Sequence, residues 1–171
     1  MRIKDKIKRP RRPVVAYEIL PPREKDGTLN SYAANISSLL SQTHIDAINI
    51  PEVRDEVARG ERPIKNQIRA EPREFGRLLQ DIVGIEAIIN RVVVHQNLEK
   101  EMTWLKETNN RYEIENLITV GGESRSIKYP GPSVKQALSA ISKDQKLDLL
   151  CGGISIPSRE KESLRLIEKS E

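Results

Sequence analysis

The stretch VVAYEILPPR, Val14 to Arg23, joins a strand to its own stop signal. Val14, Val15, Tyr17 and Ile19 are β-branched or aromatic, and they predict a buried strand over Val14–Leu20. Glu18 sits near the end of that strand. Pro21 and Pro22 follow at once, and proline lacks the amide donor that further pairing needs. A carboxylate at a strand tip, with the strand halted just behind it, describes the end of a sheet rather than its middle.

The same alternation recurs along the chain. IDAINI (Ile45–Ile50) predicts a second strand, ended by Pro51. IEAIINRVVVH (Ile85–His95) predicts a third, long enough that Asn90-Arg91 is expected to mark a bulge or break. NLITVGG (Asn116–Gly122) and LDLLCGG (Leu147–Gly153) predict a fourth and a fifth. Between them lie helical patterns. Tyr32, Ile36, Leu39 and Leu40 share one helix face, and Phe75, Leu78, Leu79 and Ile82 share another, with Gly84 as its stop. Leu98, Met102 and Leu105 mark a third helix, and Val134, Ala137, Leu138 and Ile141 a fourth. A last helix after Ser158 has that serine as its expected cap. The stretch between strand two and the second helix reads as a long charged loop.

Five βα units in succession imply a parallel sheet with right-handed crossovers. Two architectures fit: a complete five-stranded doubly wound sheet, or about five units of a (β/α)₈ barrel, which normally takes about 250 residues. Both place ligands at the carboxyl ends of the strands. A doubly wound receiver-type domain would want an acidic cluster at strand one and an Asp after strand three. The chain offers Glu18 and His95 there.

Composition bounds the function. Of 171 residues, 37% are hydrophobic and 32% charged, which suits a water-exposed α/β domain. No apolar run approaches the ~20 residues of a membrane span. The single cysteine, Cys151, excludes an intramolecular disulfide and points to a reducing cytoplasm. It reads as a small buried hydrophobe. Neither it nor His44 and His95 forms a metal set. Residues 1–13 carry seven Lys/Arg and one acid, a net of +6 against +4 for the whole chain, which leaves −2 for the rest. Residues 1–13 are therefore set apart as a basic arm, and 14–171 as the folded domain. The arm reads as a solvated leader or as a contact for an anionic partner. Nucleic acid is not the expected partner, because no aromatic residue interleaves the charges.

The carboxyl ends of the predicted strands gather Glu18, Pro51-Glu52, His95-Gln96, Gly121-Gly122-Glu123-Ser124 and Cys151-Gly152-Gly153. The glycine pairs allow a ligand to approach the backbone closely.

YEILPPR resembles the first-strand signature of the methylenetetrahydrofolate reductase family. LITVGGES falls where that family has its fourth-strand Arg-Gly-Asp segment, YPGPSV follows at the family's distance, and GGISIPSRE falls at its fifth-strand motif. The resemblance runs from Val14 to about Glu171. It implies a TIM-type (β/α)₈ barrel that holds FAD at the strands' carboxyl ends. It also implies reduction of methylenetetrahydrofolate to methyltetrahydrofolate in one-carbon metabolism, with reduced nicotinamide or another electron donor. By resemblance, Glu18 is the general acid that protonates a folate ring nitrogen. A carboxyl donates well near neutral pH when burial, here beneath a flavin, raises its pKa. Glu123 takes the place of the Asp that contacts folate and flavin. His95, Gly122, Tyr129 and Gly152 take cofactor-contacting positions.

Departures accompany these matches. Gly121 replaces the motif's Arg, Glu123 its Asp, and Ile154 and Ser158 its Tyr and His. The family's last three strands have no counterpart in these residues. The expectation is a fragment or split subunit, with a second chain or a second copy supplying the missing units. The alternative is a non-catalytic flavin- or folate-binding accessory subunit.

Overall fold

The computed structural model describes residues 2–9, 12–53, 68–122, 127–156 and 160–170. Its sheet has five parallel strands: β1 (Ala16–Glu18), β2 (Ala47–Pro51), β3 (Glu86–Val92), β4 (Asn116–Val120) and β5 (Leu150–Gly153). Their order in space is their order in sequence, β1-β2-β3-β4-β5. A doubly wound sheet reverses its strand order at a switch point. Unbroken order with one crossover hand puts every crossover helix on the same face, which makes this sheet a wall of a (β/α) barrel.

The helices are α1 (Ile3–Lys8), α2 (Leu29–Leu40), α3 (Pro72–Val83), α4 (Leu98–Asn110), α5 (Val134–Lys143) and α6 (Glu162–Ser170). Their starts are encoded locally. The Thr28, Asn97 and Ser133 side chains each accept a backbone N–H three residues on. Pro72 opens α3, and Gly84 closes it in the left-handed conformation at φ 71°. The expected cap Ser158 lies outside the described residues, as does most of the charged loop before α3.

Strand alternation divides the sheet into two faces. Ile48, Ile50, Ala87, Ile89 and Leu117 are buried in one core with Ala33, Phe75, Leu79, Leu105 and Ile141 of the helices. Gly76 lets α3 lie close on the sheet, because a side chain there would press on Ile50, Ala87 and Ile89. The other face carries Glu18, Asn49, Ile88, Asn90, Ile118 and Gly152, each exposed or half-buried and none part of that core.

Three expectations change. β1 is an edge strand, with Tyr17 55% exposed and only Ile19 of its apolar run buried, so it is not the buried strand its composition predicts. β3 runs unbroken through Asn90-Arg91, which pair with Ile118 and Thr119, and a 3₁₀ turn (Val93–His95) ends it. Leu39 faces solvent on α2, and the small Ala33 packs inward instead.

The basic arm also differs from a solvated leader. It contains α1, whose Ile3 is buried and whose Ile3 backbone N–H donates to Glu86. Arg2 pairs with Glu115, Lys4 with Asp148 at 2.6 Å, and Lys6 and Arg12 with Asp46 at 2.9 and 2.7 Å. These four acids stand at or just before the starts of β2 to β5. The arm's charge thus complements the amino-terminal end of the sheet. Among the described residues no helix is long and apolar enough to cross a membrane.

Candidate functional site

The carboxyl ends of the strands form the rim where ligands bind in parallel barrels. Glu18 ends β1 and is exposed. Asn49 of β2 lies beside it in register and donates from Nδ2 to Glu18 Oε2 at 3.0 Å. Behind Glu18, Pro21 and Pro22 are buried. Their carbonyls accept from Arg69 Nη1 at 2.7 Å and from the Ala70 amide at 2.9 Å. The two prolines stop the strand and anchor the approach to α3.

Gly152 of β5 lies on the same sheet face as Glu18. The register connects them through Asn49, Ile88, Asn90 and Ile118. A Cβ added at Gly152 would meet nothing within 4 Å, so the surface above it is open.

Three further expected residues form one cluster. The His95 and Tyr129 rings meet edge to face, 5.6 Å between centroids. Gly122 is packed against the same tyrosine, and a Cβ there would stand 2.2 Å from the ring. Tyr129 also lies against Val93, Val94 and Ala137. Chain geometry reinforces the cluster, since Gly131 donates its amide to the Val94 carbonyl at 2.9 Å. Glu123 lies outside the described residues.

Glu52, expected on the rim, serves to bind two strands together. It accepts from Arg91 Nη1 at 2.8 Å and from the Val92 amide at 2.9 Å. Arg91 belongs to the helix-facing side of β3 and also grips Glu101 of α4. Gln96 Nε2 donates to the same Glu101 at 2.8 Å. Sequence reasoning missed this cluster. Its signal was an arginine inside an apolar strand, which demands buried partners rather than a break. Sequence reasoning also missed Asn49 and Asn90. Their signal was an amide at the alternate positions of AINI and IINR.

Cys151 is packed at the edge of the main core, and burial pushes its thiol up to about 12. That suits a small apolar filler, not a nucleophile. Among the described residues no group of three or more His, Cys, Asp or Glu is placed to hold a metal ion.

Fold and rim together define an open wall of parallel βα units with its polar groups at the strands' carboxyl ends. A solved structure shares this architecture: an uncharacterised protein from Clostridium thermocellum, described as binding two copies of 5-methyl-5,6,7,8-tetrahydrofolic acid. The TM-score is 0.64 and the identity 23%, over 98% of this chain and 54% of that protein. At that identity the likeness is one of fold. The chain spans about half the length of the protein it matches. No family model and no curated protein matches the sequence.

Proposed function

We propose that this chain binds a reduced folate on the open face of its sheet, at the carboxyl rim. The observation that carries the reading is the sharing of one face by Glu18, Asn49, Asn90 and Gly152. A fold of the same kind in another protein binds a methylated reduced folate, which supports it. A pterin is flat and apolar on its faces and polar at its edges. Ile88 and Ile118 offer the flat contact, and the carboxylate and amides offer the polar one. Calorimetric titration of the full chain with 5-methyltetrahydrofolate should give saturable binding, weakened by Glu18→Gln. Absence of saturable heat with correctly folded protein sinks the reading.

A second reading adds chemistry. The cluster of His95, Tyr129 and Gly122 favours it, because these are positions the reductase resemblance assigns to FAD contact. The open surface over Gly152 is compatible with a ring system there. A bound flavin would supply hydride transfer. His95 and Tyr129 would border it, and Glu18 would hold a proton for a folate ring nitrogen. On this reading, protein loaded with FAD shows protein-bound flavin absorbance. Once dithionite has reduced that flavin anaerobically by two electrons, methylenetetrahydrofolate reoxidises it, taking up the hydride and a proton to give methyltetrahydrofolate, and Glu18→Gln abolishes the reoxidation. Binding of folate without any binding of flavin leaves the chain as a binding or accessory subunit.

A further inference from the structure

Two side-chain oxygens on this sheet face are left unpaired by the fold. Asn49 Oδ1 and Asn90 Oδ1 are buried, and neither accepts a hydrogen bond among the described residues. Asparagine is disfavoured within strands, and a buried acceptor without a donor is costly. A residue kept under both penalties calls for an explanation.

Their placement is specific. Asn49 pairs with Ile88, and two residues further along each strand Pro51 pairs with Asn90. The two amides are therefore diagonal neighbours on adjacent strands and point to the same face. The Asn49 amide nitrogen is engaged by Glu18, which fixes its oxygen as the end left to accept. Asn90 stands between Pro51 and Ile118, with Gly152 beyond. The surround is apolar or small and each asparagine as a whole is half-buried, so a small turn of each side chain brings its oxygen out to a flat ring lying on Ile88 and Ile118.

The geometry points to Asn49 and Asn90 as the pair that reads the amino-lactam edge of a pterin. Two neighbouring carbonyl oxygens complement two neighbouring N–H donors, and the 2-amino group and N3–H of a pterin form such a pair. A flavin presents one N–H flanked by two carbonyls, and a second acceptor would face a carbonyl there. The pair therefore selects pterin over flavin at this position. The inference rests on the folate reading and names the part of the ligand that these residues recognise.

The test uses the full chain and three probes: 5-methyltetrahydrofolate, 6-methyltetrahydropterin and p-aminobenzoylglutamate. Asn49→Leu and Asn90→Leu should each weaken both pterin-bearing probes about tenfold or more, with p-aminobenzoylglutamate unaffected. The melting temperature of Asn90→Leu should stay level or rise, because an apolar group replaces an unpaired amide. A residue with a purely structural role would lower it. If Leu at 90 prevents folding, Asn90→Ser retracts the oxygen and should show the same loss. Folate binding that survives these substitutions overturns the inference and leaves the folate reading standing. A wild type that takes the tetrahydropterin but not the folate, with the variants losing it, does the reverse. A wild type that takes neither overturns both.

Discussion

Arg91 holds Glu101 through two hydrogen bonds, Nε to Oε1 at 2.9 Å and Nη2 to Oε2 at 2.8 Å, with the side chains 3% and 0% exposed. The Trp104 ring lies 4.2 Å from the guanidinium, with Arg73 at 4.4 Å from the same ring. Burial opposes the charge on Arg91, but hydrogen bonding to Glu101 and the charge of Glu52 outweigh it, and the guanidinium pKa is raised. One arginine thus ties the end of β2, the body of β3 and the start of α4 together beneath the rim.

Breaking that pair from one side should be severe. Glu101→Leu leaves a buried cation short of its main partner and should cost ~3–5 kcal/mol in urea unfolding. The double variant Arg91→Met with Glu101→Leu should recover most of the loss, because matched apolar groups remove the uncompensated charge. A single-variant cost under about 1 kcal/mol, the range of an exposed pair, contradicts this account.

Three glycines on the rim should respond differently to alanine. At Gly131 the new methyl would meet backbone atoms of Gln96 and Val94 at 2.3 and 2.6 Å. Neither can swing away, so the cost should reach at least the ~1–3 kcal/mol of overpacking. At Gly122 the obstacle is the Tyr129 ring, which can rotate out. Stability should fall less there, while the His95–Tyr129 contact is lost, visible as a change in the histidine ring resonances by NMR. At Gly152 the space is open, and thermal unfolding should be nearly unchanged. An equal response at all three positions would disprove the assigned packing.

The docking of α1 should persist into acid. The Lys6 ammonium, the Val15 amide and Arg12 hold the Asp46 carboxyl well below the usual carboxylate range. Hydrogen bonds from Arg23 bring Asp26 down to about 2. A depressed folded-state pKa stabilises the fold at pH above the unfolded value of about 4, and the effect fades as pH falls through the folded value. Trypsin cleavage after Lys6 and Lys8 should therefore be slow from neutral pH down to the protease's acid limit. Asp46→Asn should speed it at every pH in that range. Equal rates for the two proteins would refute the anchoring role.

Cys151 should be sluggish toward thiol reagents. Its pKa of about 12 leaves almost no thiolate at neutral pH. Alkylation by iodoacetamide in native buffer should be far slower than in denaturant. Because the unfolded thiol ionises near 8.5, this group favours the unfolded chain progressively from about pH 8.5 toward 12. Fast native labelling would show that the site opens.

Much of the fold was legible because its signals are local. Gly84 after an amphipathic run and the alternation of five apolar strands with helices each lie within a few residues. The rim also followed, since any parallel barrel wall puts its strand ends together. That Glu18 and Gly152 share one face, and that His95, Gly122 and Tyr129 meet, follows from register and loop packing instead. Asn90-Arg91 reads locally as a bulge or break because the partners of Arg91, Glu52 and Glu101, lie 39 and 10 residues away, on other elements. The docking of the basic arm is hidden for the same reason, because the acids it meets are distributed among the starts of four strands.

By itself, the sequence determined the number, order and type of the βα units and the acid at the first strand's tip. Periodicity and punctuation by Gly and Pro are properties of neighbouring residues, so a linear reading suffices for them. Tertiary structure alone decided that the strands stay in sequential order, that one sheet face stays outside the helix-packed core of the described residues, and that Glu18 sits beside an asparagine 31 residues away. Those outcomes depend on register between distant segments. Register is set by how whole faces pack, and no local pattern encodes it.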